Sequence, residues 1–131
     1  MKFRLLAVLA VLVLAAPTFA HHSTSMYDMT HPVTVTGVIK RFEWTNPHAF
    51  VYLDVKDEGS DKTINWALEM GPPRLLEKQG WTKNTMKEGD EVTVAATLAK
   101  DGNKQGNAQT VTMTNTGKRL GAASSQFTKQ E

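Results

Sequence analysis

From Val33 onward the chain is broken into short runs in which apolar and polar residues alternate, with turn-forming residues between them. A period of two puts every second side chain on one face, so these runs fold as β-strands that each bury one side. Residues 33–44 (VTVTGVIKRFEW) form the first strand; their phase shifts around Gly37, where a bulge or sharp coil fits. Asn46-Pro47 ends that strand, residues 48–55 (HAFVYLDV) form the second, and the polar stretch 56–62 closes it. In a third strand over 63–70, Ile64, Trp66, Leu68 and Met70 share one face, with Asn65, Ala67 and Glu69 on the other.

Gly71-Pro72-Pro73 then offers prolines suited to a helix start and Gly80 a residue suited to its end, which predicts a short helix over 73–79 that turns Leu75 and Leu76 to the core. A fourth strand over 91–99 alternates Val92, Val94, Ala96 and Leu98 with polar or small residues; a glycine-rich hairpin connection and a fifth strand over 107–114 follow. Three strands, a short helix and two strands is the element order of an all-β, OB-fold-like five-stranded Greek-key barrel, assigned here to residues 33–120 with a flexible tail over 121–131. Alternation alone does not separate this barrel from a small β-sandwich.

The first 20 residues have a different character. Lys2 and Arg4 precede an unbroken apolar run of 12, Leu5 to Ala16, and then Pro17-Thr18-Phe19-Ala20. This is the three-part pattern of a secretory signal peptide, and at about 18 Å of helix it is short of the ~30 Å hydrocarbon core. Cleavage is expected after Ala20, which leaves His21-His22-Ser23 as the new terminus and 21–32 as an extended segment. The protein is thus expected in the periplasm or outside the cell, with no permanent membrane anchor. Removing Lys2 and Arg4 reduces the 15 basic residues to 13, equal to the 13 acidic ones. A neutral exported domain is not expected to bind nucleic acid. Cysteine is absent, which excludes disulfides, thiolate metal sites and a cysteine nucleophile.

Several segments together resemble one family: His21-His22-Ser23, residues 43–48 (EWTNPH), Trp66 with Glu69-Met70-Gly71, Gly80-Trp81-Thr82, residues 87–90 (KEGD) and Ala99-Lys100-Asp101-Gly102. The chain is similar here to domain-of-unknown-function family 6152, small exported bacterial proteins. Its layout also resembles the periplasmic bacterial OB-fold proteins, and that likeness implies binding of a small ligand or cation.

The histidines are unevenly placed: His21, His22 and His31 lie within 11 residues, together with Met26 and Met29, and only His48 falls later. Imidazole suits Cu(II) and thioether Cu(I). An N-terminal histidine also joins its α-amino nitrogen to its own ring in one chelate. His21, His22 and His48 are therefore the candidate metal ligands, copper first, and His31 before Pro32 reads as an exposed polar residue. His48 falls in the connection between the first two strands, a loop that OB-folds use for ligands, and shares strand phase with Phe50 and Tyr52. Trp44, Asn46, Phe50, Tyr52 and Trp66 are the candidate ligand-face residues, although each tryptophan also serves as packing. Asp54, Glu69 and Ser23 suggest no nucleophile–base arrangement, and no enzymatic activity is expected. Two readings stay open: an exported binding protein that takes a metal ion, or a metal-free OB-fold module that binds a small organic ligand or an envelope protein.

Overall fold

The computed structural model describes residues 27–123. Their elements are β1 (Tyr27–Glu43), β2 (Phe50–Lys56), β3 (Thr63–Glu69), α1 (Pro73–Lys78), β4 (Glu91–Ala99), β5 (Gln105–Met113) and β6 (Arg119–Gly121). The strands pair in the order β3-β2-β1-β4-β5-β6, and a further parallel contact of β3 with β5 closes the first five into a ring. The fold is thus all-β and OB-fold-like, with one short helix between β3 and β4, as the element order predicts. The closing seam is short: it joins only Ala67 to Gln105, Leu68 to Gly106 and Glu69 to Asn107.

The long first strand serves both sides of the ring. It pairs with β4 from Pro32 to Val38 and with β2 from Val38 to Glu43, so Val38 faces Glu91 on one edge and Asp54 on the other. The register shift lies between Ile39 and Arg41, where Lys40 is the extra residue, and not at Gly37. Gly37 answers a different demand: a Cβ there would stand 2.7 Å from the Asp54 carbonyl oxygen. Only glycine lets β2 approach that closely.

β1 also begins at Tyr27, within the stretch assigned to an extended segment over 21–32. Tyr27 faces Ala99, but the next regular pair is Pro32 with Thr97, so six residues of β1 span three of β4. That irregularity erases the alternation from which a strand is read. At the other end, β6 and the fully buried Ala122 and Ala123 occupy positions assigned to the barrel's end and its tail. Gly71 N–H donates to the Ala122 carbonyl at 2.7 Å, and Ala122 N–H to the Gln109 carbonyl at 2.9 Å. Three residues are too few to show a period.

Ile39, Val51, Leu53, Leu68, Met70, Leu76, Val92, Val94 and Val111 fill the core, with Trp81 the largest side chain enclosed. Its indole N–H donates to the Gly121 carbonyl at 2.6 Å, and its ring lies 6.1 Å from that of Phe42. The helix starts with Pro73 in its first turn, ends ahead of Gly80 at φ 94°, and buries Leu76. No helix among the described residues is long and apolar enough to cross a membrane.

Candidate functional site

Alternation in β2 turns Val51 and Leu53 into the core and leaves Phe50, Tyr52 and Asp54 half-buried on the outer surface of the ring. Strand register then chooses their neighbours. Phe50 lies between Glu43 and Glu69, Tyr52 between Arg41 and Ala67, and Asp54 between Val38 and Asn65. These three rows form one surface across β1, β2 and β3.

At one end of that surface Glu69 holds two partners. One oxygen pairs with His48 Nδ1, and the other accepts the Tyr27 hydroxyl at 2.7 Å. His48 sits in the turn before β2, fixed by its neighbour Ala49, whose N–H donates to the Gly71 carbonyl and whose own carbonyl accepts from Met70 N–H. Burial, and then the Glu69 carboxylate, push the Tyr27 phenol above the ordinary tyrosine range. It therefore stays protonated and keeps donating. Three elements far apart in sequence meet on one carboxylate.

In the middle, the Phe50 and Tyr52 rings stack at 6.3 Å and the Arg41 guanidinium lies 4.1 Å above the Tyr52 ring. Glu43 ties both partners, pairing with Arg41 Nε at 3.1 Å and accepting the Tyr52 hydroxyl at 3.3 Å.

At the far end is a cavity of about 580 Å³, walled by Tyr52, Asp54, Asn65, Trp66 and Ala67 and bounded by the β4–β5 loop at Lys104. The loop is held against β3 because Ala67 N–H donates to the Lys104 carbonyl at 3.0 Å. Its ammonium then lies 5.2 Å from the centre of the Trp66 ring, a cation–π placement. Lys40, the residue the bulge adds, reaches Asp54 at 3.3 Å. The Trp66 indole N–H is buried and meets no acceptor among the described residues, which costs about 1–3 kcal/mol.

The family comparison covers nearly all of this surface, matching residues 8–109 and so including Tyr27, His48, Glu69 and every wall of the cavity. The chain belongs to the family of unknown function DUF6152. No curated protein and no solved structure matches it.

In this DUF6152 chain, Tyr52 and Trp66 line the cavity, whereas the other expected ligand-face residues do not. Phe50 stacks on Tyr52, Trp44 packs edge-on against Phe42 at 5.8 Å, and Asn46 is exposed in the turn. Trp44 thus packs against the core. Among the expected metal ligands, His48 is held by Glu69, and His21 and His22 lie outside the described residues, as do Met26 and the side chain of Met29. Among the described residues no group of three or more histidine and carboxylate side chains is gathered for a metal ion.

His31 is exposed and bonded locally to Asp28 at 2.8 Å, in keeping with a solvated polar role. The Thr30 hydroxyl first, and His31 second, lower the Asp28 carboxyl to about 2. Sequence reasoning passed over Tyr27, Arg41, Glu69 and Lys104, together with the polar cavity residues Asn65, Asn103 and Gln105. Glu69 alone carried a signal, an acidic residue on the face opposite a row of core side chains.

Proposed function

We propose that this is an exported, non-catalytic binding protein that takes a small organic molecule on the outer surface of β1, β2 and β3. The cavity beside β3 is the observation that carries the reading. Its volume of about 580 Å³ falls in the range of pockets that enclose small molecules, roughly 300–1,000 Å³. It also lies on the strand face, next to the β4–β5 loop, that OB-folds use for ligands. Aromatic and apolar walls from Tyr52, Trp66 and Ala67 supply contact area, and Asn65, Asn103 and Gln105 supply orienting hydrogen bonds. The segment 1–20 supports export to the periplasm or the medium.

The test is thermal unfolding against a panel of small polar organic compounds. A ligand at 100 times its dissociation constant stabilises by about 2.7 kcal/mol, on the order of 10 °C for a domain of this size. At least one compound is expected to produce such a shift, and Asn65→Trp, which fills the cavity from an exposed position on β3, is expected to abolish it. A panel without effect, or a shift that survives Asn65→Trp, contradicts the reading.

The Glu69 cluster favours a second reading, in which copper is held by His21, its α-amine and His22 with His48. Tyr27 is tied to the same carboxylate that holds His48, only six residues after His21. Six residues span up to ~20 Å, so the expected terminus reaches His48. A carboxylate on the inner nitrogen is also the arrangement that commonly orients a metal-binding imidazole.

A further inference from the structure

We propose that the cavity beside β3 selects small organic anions, with Lys104 receiving the anionic group and Tyr52, Trp66 and Ala67 contacting the organic body. This rests on the small-molecule reading and adds the charge of the ligand to it.

The charges at the cavity walls do not cancel. Lys40, Arg41 and Lys104 line the cavity, against Asp54 as the single acidic wall residue. Asp54 is already paired with Lys40, and Arg41 is paired with Glu43. Lys104 has no carboxylate within ion-pair distance among the described residues; it rests on the Trp66 ring instead. An aromatic face attracts an ammonium without neutralising it. The net field at the cavity is therefore positive, and concave walls of low dielectric constant concentrate it.

The position of this charge is built into the fold. The Lys104 carbonyl is bonded to Ala67 N–H, and the next residue, Gln105, begins the β3–β5 seam. The backbone at Lys104 is thereby pinned at the cavity rim, with its ammonium over the Trp66 ring. Asn65, Asn103 and Gln105 add amide donors suited to carboxylate, sulfonate or phosphate oxygens. A cationic ligand would meet the uncompensated charge of Lys104, and a neutral one would leave that charge unused.

Two dyes of one skeleton test this on protein purified from cells expressing the full chain. They are 1-anilinonaphthalene-8-sulfonate and N-phenyl-1-naphthylamine, which lacks the sulfonate. Fluorescence titration is expected to give the sulfonate at least about tenfold tighter binding, with the preference weakened by added salt. Lys104→Gln should bring the two affinities within roughly threefold of each other, and Lys104→Arg should restore the preference. Asn65→Trp should block both dyes. Equal affinities in the unaltered protein, lost together in Asn65→Trp, overturn the selectivity and leave the cavity reading standing. A preference that survives Lys104→Gln overturns the role of Lys104. Failure of both dyes to bind, or binding indifferent to Asn65→Trp, overturns the proposal together with the small-molecule reading.

Discussion

Trp81→Ala is expected to lower the free energy of unfolding by about 3–5 kcal/mol, read as a fall in the urea midpoint with little change in slope. Trp81 is only 1% exposed and is the largest fully buried side chain, so its removal opens a cavity that the strand ring cannot collapse to fill. It also removes the donor that holds the Gly121 carbonyl. Gly121 ends β6, and the next residue, Ala122, accepts from Gly71 N–H ahead of α1. One side chain therefore joins the helix end of the fold to the last strand. Domains of this kind have roughly 5–15 kcal/mol in total, so the variant is expected to be near its folding threshold at ordinary temperature. Trp81→Phe separates the two contributions, keeping most of the packing while removing the donor to the half-buried Gly121 carbonyl, and should cost about 1 kcal/mol. A loss below 1 kcal/mol for Trp81→Ala would contradict the packing described for β6.

The second large effect belongs to the copper reading. Protein that begins at His21 is expected to bind one Cu(II) more tightly than Zn(II), following the divalent affinity order for nitrogen ligands. Acetylation of the His21 α-amine should weaken copper binding on the order of 100-fold, about 2.7 kcal/mol. The free α-amine has an ordinary pKa near 7.7–8.0 and gives up its proton to copper near neutral pH, whereas an acetylated nitrogen does not close the chelate with the His21 ring. His48→Ala should add a loss of about tenfold if the strand ring supplies a ligand. Calorimetric titration with a competing chelator measures all three proteins. Equal affinity with and without the acetyl group rejects the metal reading and leaves the small-molecule reading as the account of this site.

How much of this was legible in the sequence follows from where the backbone is regular. β2 and β3 are read from alternation because each keeps an unbroken register, from Phe50 opposite Glu69 to Lys56 opposite Thr63. The helix is read from Pro72-Pro73 and Gly80, which act locally. The early start of β1, the bulge at Lys40 and the existence of β6 depend on pairing with distant strands, and leave no period in the chain.

The site divides in the same way. Tyr52 and Trp66 are recognisable as aromatic residues on predicted strands. Glu69 acquires its meaning only when register brings it beside Phe50, within reach of His48 in the preceding turn. Tyr27 lies 42 residues from Glu69, and nothing near it in sequence announces a partner. Lys104 reads as one charge in a solvated loop until the Ala67 hydrogen bond lays that loop against Trp66. Pairwise geometry of this kind is a product of ring closure and is not written in any local window.

A small molecule seated in the cavity beside β3 must perturb the residues that wall it. Amide chemical-shift mapping, with a compound that raises the unfolding temperature, reads this residue by residue. Perturbations are expected to concentrate at Arg41, Tyr52, Asn65, Ala67, Lys104 and Gln105, and to disappear in Asn65→Trp. Perturbations confined to the opposite side of the ring, around Thr36, Thr93 and Thr112, would contradict binding at that cavity.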